Sequence, residues 1–456
     1  MIKEYDLYSP GCDTPSTRRL CEIVRRAHTP FILLNLTRRH ISISETAISR
    51  ISDVAADTGA SMIYTDFIRV GGNGAEAVTL ADWQPGAVRE TFDFGDAVVI
   101  NVERMKAALA KAPSREFAGF YDLWLRLSRT EGGIFHLPEP VYTSIPSGRG
   151  CQEQSQFAYL DPANRAAQEE YEAVFTDHLK ALGAWLSERE EKIEVNEDDY
   201  KVVASVVIPV KNRVTTIADA IKSALSQTTD FSFNVIVVDN HSSDGTSDVV
   251  RELSIADKRV VRIEVKRHDL GIGGCWNLAL AHRLCGAYAV QLDSDDLYAS
   301  PTALQTMVDA LRSSHAAMAV GSYRLTDFDH NEIAPGVIDH REWTAANGHN
   351  NLLRVNGVGA PRAYATEAAR ICPFPNVSYG EDYAMALRLS RDYAIERVWD
   401  VVYECRRWEG NSDAGCNPER DRCHNAYKDT LRSIELKARR RMGARHKVES
   451  DRKPEK

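Results

Sequence analysis

The chain has 456 residues, of which 43% are hydrophobic and 27% are charged, a balance typical of globular proteins. This composition excludes a disordered or low-complexity chain, and the length predicts two or three domains. The net charge of −9 argues against a nucleic-acid partner. The nine cysteines include no Cys-x-x-Cys pair, so the sequence predicts neither a zinc site nor a disulfide framework.

Apolar segments in this sequence are short. The runs Ala204–Val210 and Phe31–Leu34 are far below the roughly 18 residues that a membrane-spanning helix needs. The first six residues lack the charged-then-apolar pattern of a secretion signal. We therefore expect a cytoplasmic protein.

The first 200 residues divide into two predicted zones. Residues 1–147 alternate strand-like and helix-like patterns and form a first domain. In residues 148–200 the segment Pro162–Glu190 repeats hydrophobic residues at steps of three or four, which predicts an amphipathic helix. The acidic stretch Glu188–Asp199 follows it, so we interpret 148–200 as a helical linker with a solvated end.

Residues 201–415 have an α/β pattern. The predicted strands are Val202–Ile208, Asn234–Asp239, Val260–Lys266 and Tyr288–Leu292. The predicted helices lie near Val214–Gln227, after Ser243-Asp244, and from Gly271 to about Leu284. This alternation indicates a mostly parallel sheet with helices on both faces. Ligands of such sheets bind beyond the carboxyl ends of the strands, so polar residues after each strand are candidate site residues.

The fourth predicted strand ends in Asp293-Ser294-Asp295-Asp296. Neighbouring carboxylates repel one another, and a divalent cation between them relieves that repulsion. Oxygen ligands suit Mg²⁺ or Mn²⁺, and such an ion completes its shell with water and substrate phosphates. The sequence therefore predicts a divalent metal site at this strand end.

Several segments of this domain together resemble the family 2 glycosyltransferases. They are Ser205–Asn212, Val237–Thr246, Gly271–Asn277 and Leu292–Asp296, followed by Tyr379–Tyr383, which is similar to the acidic motif of that family at the head of a helix. Their order and spacing make the resemblance specific. It implies an α/β protein of the GT-A type, with a Rossmann-like mixed sheet that binds nucleoside diphosphate sugars.

The resemblance implies a role for each strand end in binding the donor. Asp239 would accept a hydrogen bond from the nucleotide base, and Pro209 and Val210 would pack against that base. Asp293 would contact ribose and metal, and Asp295 would hold Mn²⁺ or Mg²⁺ against the diphosphate. The implied nucleotide-binding set is completed by Asn212, Gly271 and Asn277. We expect UDP as the nucleotide.

The resemblance also implies the reaction. Asp382 would act as general base on an acceptor hydroxyl, which attacks opposite the leaving diphosphate and inverts the anomeric centre. Glu381 is the alternative base, or it binds acceptor or stabilises the helix end. The expected acceptor is a glycan or glycolipid, and the expected process is polysaccharide biosynthesis.

Three positions depart from the family pattern. His241 stands where Gly is usual, in the loop expected on the side of the nucleotide base. Trp276 stands where the family often has an Arg before the Asn of the glycine turn, and it either stacks on a sugar or packs in the core. Trp408 occupies the place of a His that often joins the metal. Arg406 or Arg407 therefore either offsets diphosphate charge or forms a surface ion pair.

Residues 1–147 resemble a degenerate half-copy of the second domain. The helix window Ala118–Arg129 parallels Gly380–Arg391, and Thr29–Arg38 parallels Ala287–Asp296. In this alignment Asn35 and Thr37 replace Asp293 and Asp295, and Gly119-Phe120 replaces Glu381-Asp382. We expect a non-catalytic domain that shapes the acceptor groove, mediates a homodimer, or only stabilises the fold.

Residues 416–456 are predicted to form a basic C-terminal helix or tail. Its cluster comprises Arg439–Arg441, Arg445 and Lys447. This cluster is either a solvated helix face or a peripheral contact with the anionic inner face of a membrane.

Two other functions are compatible with an α/β domain of this kind. A sugar nucleotidyltransferase is disfavoured because residues 209–213 lack the glycines of its phosphate loop. A non-catalytic scaffold that binds nucleotide-sugar or glycan is the alternative, but Asp239, Asp293, Asp295 and Asp382 all survive together.

Overall fold

The computed structural model of the protein describes residues 2–8, 13–72, 74–146, 165–187, 191–339, 347–355, 358–408, 411 and 417–451. The chain divides into two compact units. The first unit comprises Met1–Trp185 and Glu419–Lys456, and the second comprises Leu186–Pro418. Residues 148–164 of the predicted linker lie outside the described residues.

The first unit contains a seven-stranded mixed sheet. Its strands are β1 (Lys3–Asp6), β2 (Phe31–Asn35), β3 (His40–Ile43), β4 (Met62–Gly71), β5 (Gly74–Val78), β6 (Ala97–Asn101) and β7 (Ile134–Ile145). They run in the order β1-β2-β6-β4-β7-β3, and β5 pairs with β4. The pairs β1/β2 and β4/β7 are parallel, and the other pairs are antiparallel.

Five helices accompany this sheet before the chain enters the second unit. They are α1 (Thr17–Arg26), α2 (Glu45–Thr58), α3 (Val102–Leu109), α4 (Gly119–Leu127) and α5 (Arg165–Leu182). Ser16, Ser44 and Asn101 cap α1, α2 and α3 by accepting hydrogen bonds from backbone N–H groups of the first turn. Helix α5 lies inside the predicted amphipathic segment, and its Val174, Phe175 and Leu179 are buried.

The second unit contains a nine-stranded mixed sheet. Its strands are β8 (Ala204–Val210), β9 (Phe233–Asp239), β10 (Val260–Glu264), β11 (Tyr288–Gln291), β12 (Leu297–Tyr298), β13 (Met318–Thr326), β14 (Glu332–Ile338), β15 (Arg362–Ala365) and β16 (Ile395–Arg406). They run in the order β10-β9-β8-β11-β15-β13-β16-β12, and β14 pairs with β13. Strands β10, β9, β8 and β11 are mutually parallel, as predicted, whereas β15 runs antiparallel to β11 and β13.

Helices connect and cover this second sheet. They are α6 (Ile217–Leu225), α7 (Thr246–Ala256), α8 (Ile272–Ala281), α9 (Ala303–Ser314), α10 (Gly348–Asn351), α11 (Thr366–Ile371) and α12 (Glu381–Leu389), with a 3₁₀ turn at Glu197–Asp199. Strands β8 and β9 are apolar and almost wholly buried, which matches strands covered on both faces. The structure thus confirms the predicted α/β class.

Helix α7 begins after Ser243-Asp244, as predicted. The Ser243-Asp244 pair precedes the cap of α7, which is Gly245 in the left-handed conformation. The Asp244 carboxylate instead accepts hydrogen bonds from the backbone N–H groups of Thr246 and Val214. It therefore joins the start of α7 to the loop after β8.

The last helix, α13 (Pro418–Asp451), returns the chain to the first unit. The buried Asp429 accepts hydrogen bonds from Arg89 Nε and Nη2 at 3.2 Å and from Arg432 Nη1 at 2.7 Å. A Cβ atom on Gly86 would lie 2.1 Å from the Asp429 carbonyl oxygen. Close packing of α13 against residues 84–89 therefore requires glycine at this position.

The basic cluster of the tail is smaller than predicted. Arg439 is buried and donates a hydrogen bond to Glu435 at 2.7 Å, so it does not belong to an exposed cationic face. Arg440 and Arg441 are exposed, and the side chains of Arg445 and Lys447 lie outside the described residues. Within the described ranges, every helix is too short or too polar to cross a membrane.

The two sheets share a pattern of strand order and direction. In the first unit β2, β3, β4, β5, β6 and β7 follow one another as β11, β12, β13, β14, β15 and β16 do in the second, with the same pairings and directions. The parallel pair β1/β2 likewise corresponds to β8/β11. The strands β9 and β10 have no counterpart in the described first unit.

The registers of the two sheets can also be compared. A row of paired residues crosses Ile32, Ile100, Met62 and Ile134 in the first sheet, and Ala289, Tyr364, Met318 and Ile395 in the second. Counted along the chain from these rows, Leu36 and Arg38 lie level with Asp293 and Asp295. The alignment of Asn35 and Thr37 with those carboxylates is therefore shifted by one residue.

We expect Asp429→Ala to destabilise the first unit by about 3–5 kcal/mol, because it leaves the buried Arg89 and Arg432 without their carboxylate. Urea unfolding measures the effect. Lys437→Ala, on an exposed position of the same helix, is the control and should change stability by less than about 0.5 kcal/mol. Equal stability of the two variants would contradict the structural role of Asp429.

Candidate active site

The parallel strands β8, β9 and β11 place Asn212, Asp239 and Asp293 just beyond one edge of the second sheet. Because these strands are parallel neighbours, their carboxyl ends lie together. The hydrogen bond from Asn240 N to the Val210 carbonyl ties the first two strand ends at 2.9 Å. The predicted donor-binding residues therefore meet at the edge where ligands of such sheets bind.

Asp239 is buried and held by its own loop. Its carboxylate accepts hydrogen bonds from Ser242 N at 3.0 Å and from the Ser247 hydroxyl. Asn212, in the left-handed conformation, accepts from Ser243 N at 2.8 Å. These bonds fix the two loops that the resemblance assigns to the nucleotide base.

Asp293 is fixed from two sides. Gln291 Nε2 donates to both carboxylate oxygens of Asp293 at 2.9 and 3.0 Å. The backbone N–H of Asp293 donates to Tyr403 Oη at 3.0 Å. Burial raises the pKa of the Asp293 carboxyl, the Arg362 guanidinium opposes that rise, and the charges of Asp295 and Asp382 add to it. Three predicted site carboxylates thus interact electrostatically.

Asp295 is paired with side chains from two other loops. Its Oδ2 accepts hydrogen bonds from Trp408 Nε1 at 3.1 Å and from Asn411 Nδ2 at 3.3 Å, and it lies 3.6 Å from Arg213 Nε. Trp408 therefore contacts the predicted metal ligand, although an indole N–H cannot coordinate a cation. Asp296 points elsewhere and accepts from Arg406 N at 2.8 Å.

Glu381 and Asp382 begin helix α12 but have different surroundings. Asp382 forms an ion pair with Arg362 Nη1 at 2.7 Å and accepts from Tyr383 N at 2.6 Å. Glu381 Oε2 is buried and has no hydrogen-bond partner among the described residues. Burial first, and then repulsion by Asp382, raises the pKa of Glu381 to about 7.

The glycine turn packs against the segment that precedes α12. A Cβ atom on Gly273 would lie 2.0 Å from the Pro375 carbonyl oxygen, and one on Gly271 would lie 2.5 Å from Val377. Asn277 exchanges two hydrogen bonds with the backbone of Phe374, at 2.8 and 3.0 Å. The turn therefore helps to position Glu381 and Asp382, whether or not Gly271 and Asn277 also bind nucleotide.

Trp276 lies in the core. Its side chain is only 5% exposed, and its ring stacks on Phe374 at 5.3 Å and meets the edge of Tyr364 at 5.8 Å. This position favours the packing alternative over contact with acceptor or diphosphate.

The two candidate arginines also differ. Arg406 is 2% exposed and donates from Nε to the Asp295 carbonyl at 2.6 Å, while its Nη2 is buried with no hydrogen-bond partner in the described part of the chain. Arg407 is half-buried, and its backbone N–H bonds to the Thr326 carbonyl. Arg406 is thus the better placed of the two to meet an anionic ligand.

Asp293 and Asp295 are suited to hold a divalent cation. Among the described residues no group of three or more His, Cys, Asp or Glu side chains is arranged to hold a metal ion, so this part of the chain offers Asp293 and Asp295 as a pair without a third such ligand. This small set suits an ion that takes its other ligands from diphosphate and water. The raised pKa of Asp293 reflects in part a repulsion by Asp295 that a cation would relieve.

Two arginines of the site were not predicted from the sequence. Arg362 lies on β15 and pairs with Asp382, and Arg213 follows Asn212 and faces Asp295. No local pattern marks Arg362, since its partner is twenty residues further along the chain. Arg213 adjoins the first motif, so its place after a strand end was the available signal.

A family model described as Glycosyl transferase family 2 matches residues 205–361, which include β8, β9, β11 and the Asp293–Asp296 turn. This segment is therefore similar to the family 2 glycosyltransferases. The match covers about a third of the chain, and it leaves the first unit and Glu381-Asp382 outside.

Curated proteins are also similar to this part of the chain. The O-antigen biosynthesis protein RfbC of Myxococcus xanthus is 25% identical over 40% of this chain and 14% of its own length. The succinoglycan biosynthesis protein ExoA of Rhizobium meliloti is 24% identical over 42% of this chain and 59% of its own length. The chain therefore spans less than two thirds of either relative.

Among solved structures, S. aureus TarS 1–349 in complex with UDP-GlcNAc is similar to this chain. The similarity covers 51% of this chain and 66% of that one, at 20% identity and a TM-score of 0.41.

We expect Glu381→Gln to remove a pH dependence of stability. The Glu381 carboxyl titrates near 4.5 when unfolded and near 7 when folded, so the folded state binds more protons in between and loses stability as the pH rises through that range. The free energy of unfolding of the variant should exceed that of the parent by roughly 2–3 kcal/mol at pH 8, and the two should be nearly equal at pH 4.5. Urea unfolding at several pH values measures this difference.

The matched control for this prediction is Glu367→Gln, which changes an exposed carboxylate of α11 in the same unit. Its stability should follow the parent at every pH. If Glu381→Gln showed the same pH profile as the parent, the Glu381 carboxyl would not be buried and unpaired as described.

Proposed function

We propose that this protein is a metal-dependent, inverting glycosyltransferase of the hexosyl type. It would move a sugar from a nucleoside diphosphate sugar, with UDP as the expected nucleotide, to a hydroxyl group of a glycan or glycolipid. The observation that supports this proposal most is the electrostatic interaction of Asp293 with Asp295 and Asp382 at one sheet edge. Asp293 and Asp295 come from the turn after β11, Asp382 comes from the head of α12, and each has a distinct role in this chemistry.

The donor would bind along the strand ends. Asp239 lies with Pro209 and Val210 at the end of the β8/β9 pair, where a carboxylate can accept a hydrogen bond from a base and the apolar chain can pack against it. Asp293, held rigid by Gln291, would contact the ribose. Because these groups are already hydrogen-bonded in place, binding would require little rearrangement of the protein.

The diphosphate would lie beside Asp295. A divalent cation held by Asp293 and Asp295 supplies Lewis-acid neutralisation of the charge on the leaving diphosphate. Arg406 Nη2, which is buried without an acceptor among the described residues, would donate to a phosphate oxygen. Trp408 keeps the Asp295 carboxylate oriented through its indole N–H.

Asp382 would take the proton of the acceptor hydroxyl at Oδ2. This oxygen is 2.7 Å from Arg362 Nη1, which fixes the position of the carboxylate at the head of α12. The neighbouring Glu381 has a pKa near 7 and is suited to receive a proton at neutral pH. We therefore keep Asp382 as the base and Glu381 as its alternative.

We also propose that the first unit is a degenerate, non-catalytic half-copy of the second. The shared strand order and directions support this relation, and either alignment of β2 with β11 leaves the first unit without the metal carboxylates. At the start of α4, which corresponds to α12, the Glu170 carboxylate accepts hydrogen bonds from the backbone N–H groups of residues 116–118. In the first unit, the Glu170 side chain therefore occupies the N-terminal end of α4.

The biological setting belongs to the same proposal. The names of RfbC and ExoA concern O-antigen and succinoglycan biosynthesis, which favours polysaccharide biosynthesis for this chain. A cytoplasmic location, a peripheral contact of the tail with the inner membrane face, and a homodimer complete it.

Thermal melting with UDP, GDP, CDP or dTDP, each with and without Mn²⁺, tests the donor. One nucleotide with Mn²⁺ should stabilise the parent by about 2.7 kcal/mol at a hundredfold excess over its Kd. Calorimetry should give one site per chain. Asp295→Asn should fold but lose the part of this stabilisation that depends on Mn²⁺, because the substitution removes a metal ligand.

Asp309→Asn, which changes an exposed carboxylate of α9, is the matched control and should behave like the parent. If no nucleotide stabilised the parent, the glycosyltransferase proposal would be overturned. If Asp295→Asn retained the full Mn²⁺ effect, the metal assignment would be wrong.

Asp382→Asn should bind nucleotide and Mn²⁺ like the parent but lose transfer by roughly 10²–10⁴-fold, because the amide cannot accept the hydroxyl proton. The measurement is the release of nucleoside diphosphate from the donor identified by melting. Parent-like turnover would refute the base assignment. Glu381→Gln in the same assay shows whether the loss is specific to Asp382.

A further inference from the structure

Arg213 belongs to the candidate site, but it has no role in the proposed transfer reaction. It follows Asn212, whose left-handed backbone turns the chain after β8, and its own N–H donates to Thr246 Oγ1 at 2.8 Å. These contacts hold the Arg213 backbone at the sheet edge. Its side chain is 24% exposed and lies over the Trp408 ring, with 5.7 Å from Cζ to the ring centroid.

The pairing of Arg213 with Asp295 is loose. Arg213 Nε lies 3.6 Å from Asp295 Oδ2, which is beyond hydrogen-bond distance. The same oxygen already accepts hydrogen bonds from Trp408 and Asn411. The guanidinium therefore neutralises the carboxylate without being required to orient it.

The site also lacks a cation that family members often have. The position before Asn277 is Trp276, which is buried against Phe374 and Tyr364 and offers no charge to a diphosphate. On the other side of Asp295, the Arg406 Nη2 group is buried and has no acceptor among the described residues. An unpaired buried donor of this kind points to an anionic ligand at this place.

We propose that Arg213 exchanges partners when the donor binds, an inference that rests on the proposed function. Without ligand, Arg213 balances the charge of Asp295 and disfavours a free cation there. With a divalent cation and a nucleoside diphosphate both bound, Asp293 and Asp295 would hold the cation, and the Arg213 guanidinium would leave Asp295 and pair with the diphosphate. Arg213 thereby supplies the positive charge that Trp276 does not.

This exchange gives two effects of opposite sign. Removal of the guanidinium leaves Asp295 with full negative charge, so Mn²⁺ alone should bind several-fold more tightly to Arg213→Gln. The diphosphate loses a charge-assisted contact, so nucleoside diphosphate in saturating Mn²⁺ should bind roughly tenfold to hundredfold more weakly. If Arg213 had a purely structural role, Arg213→Gln would bind both Mn²⁺ and the nucleoside diphosphate more weakly.

The experiment is calorimetry on the full chain, with Mn²⁺ alone and with UDP, GDP, CDP and dTDP in saturating Mn²⁺. Arg213→Gln is compared with Arg213→Lys, which keeps the charge and should retain the affinity of the parent for Mn²⁺ alone. The control is Arg251→Gln, which removes an exposed arginine paired with Asp248 on α7 and should match the parent in both measurements. A thermal melt without ligand verifies that each variant is folded.

Tighter Mn²⁺ binding together with weaker nucleotide binding in Arg213→Gln supports the exchange. Unchanged affinities, or losses in both, overturn it. If the parent bound none of the four nucleotides, the proposed function would fail first. That result is distinguishable because it precedes any comparison of variants.

Discussion

Negative charge held at the ends of parallel strands is the constraint on which this site depends. Asp293, Asp295 and Asp382 interact at one sheet edge, where burial makes their repulsion costly. The protein balances them with Arg362 on Asp382 and with Arg213 near Asp295. The two arginines lie where they partly neutralise this negative charge. A bound cation would neutralise the same carboxylates.

The glycine turn and the acidic helix depend on each other in this arrangement. Gly271 and Gly273 let the backbone near Pro375 and Val377 approach helix α8 to distances that any side chain would prevent. This approach sets where α12 begins, and so where the carboxylates of its first turn lie. The glycine turn thus also positions Glu381 and Asp382, the two carboxylates that we propose as candidates for the general base.

Much of the fold and the outline of the site could be predicted from sequence, because both follow local patterns. The apolar β-branched runs of β8, β9 and β11 identified buried parallel strands, and their carboxyl ends identified Asp239 and Asp293. The antiparallel insertion of β15 was missed, because a four-residue strand with no periodicity gives no sign of its partner.

The partners of the site residues could not be predicted, because they come from distant parts of the chain. Arg362 gains its role only when β15 is placed beside β11, opposite the head of α12. The alternatives for Trp276 depended on which way its ring faces, and packing against Tyr364 and Phe374 is a tertiary property. In the tail, the burial of Arg439 depends on its pairing with Glu435, which a count of basic residues does not reveal.

The return of α13 to the first unit has a consequence for how the chain is made. A ribosome releases residues 84–89 long before Asp429, so in the nascent chain Arg89 lacks its carboxylate until the whole second sheet has emerged. The interrupted unit must therefore complete its packing last, although its synthesis begins first. A premature stop after residue 418 would leave the second sheet whole and the first unit without its last helix.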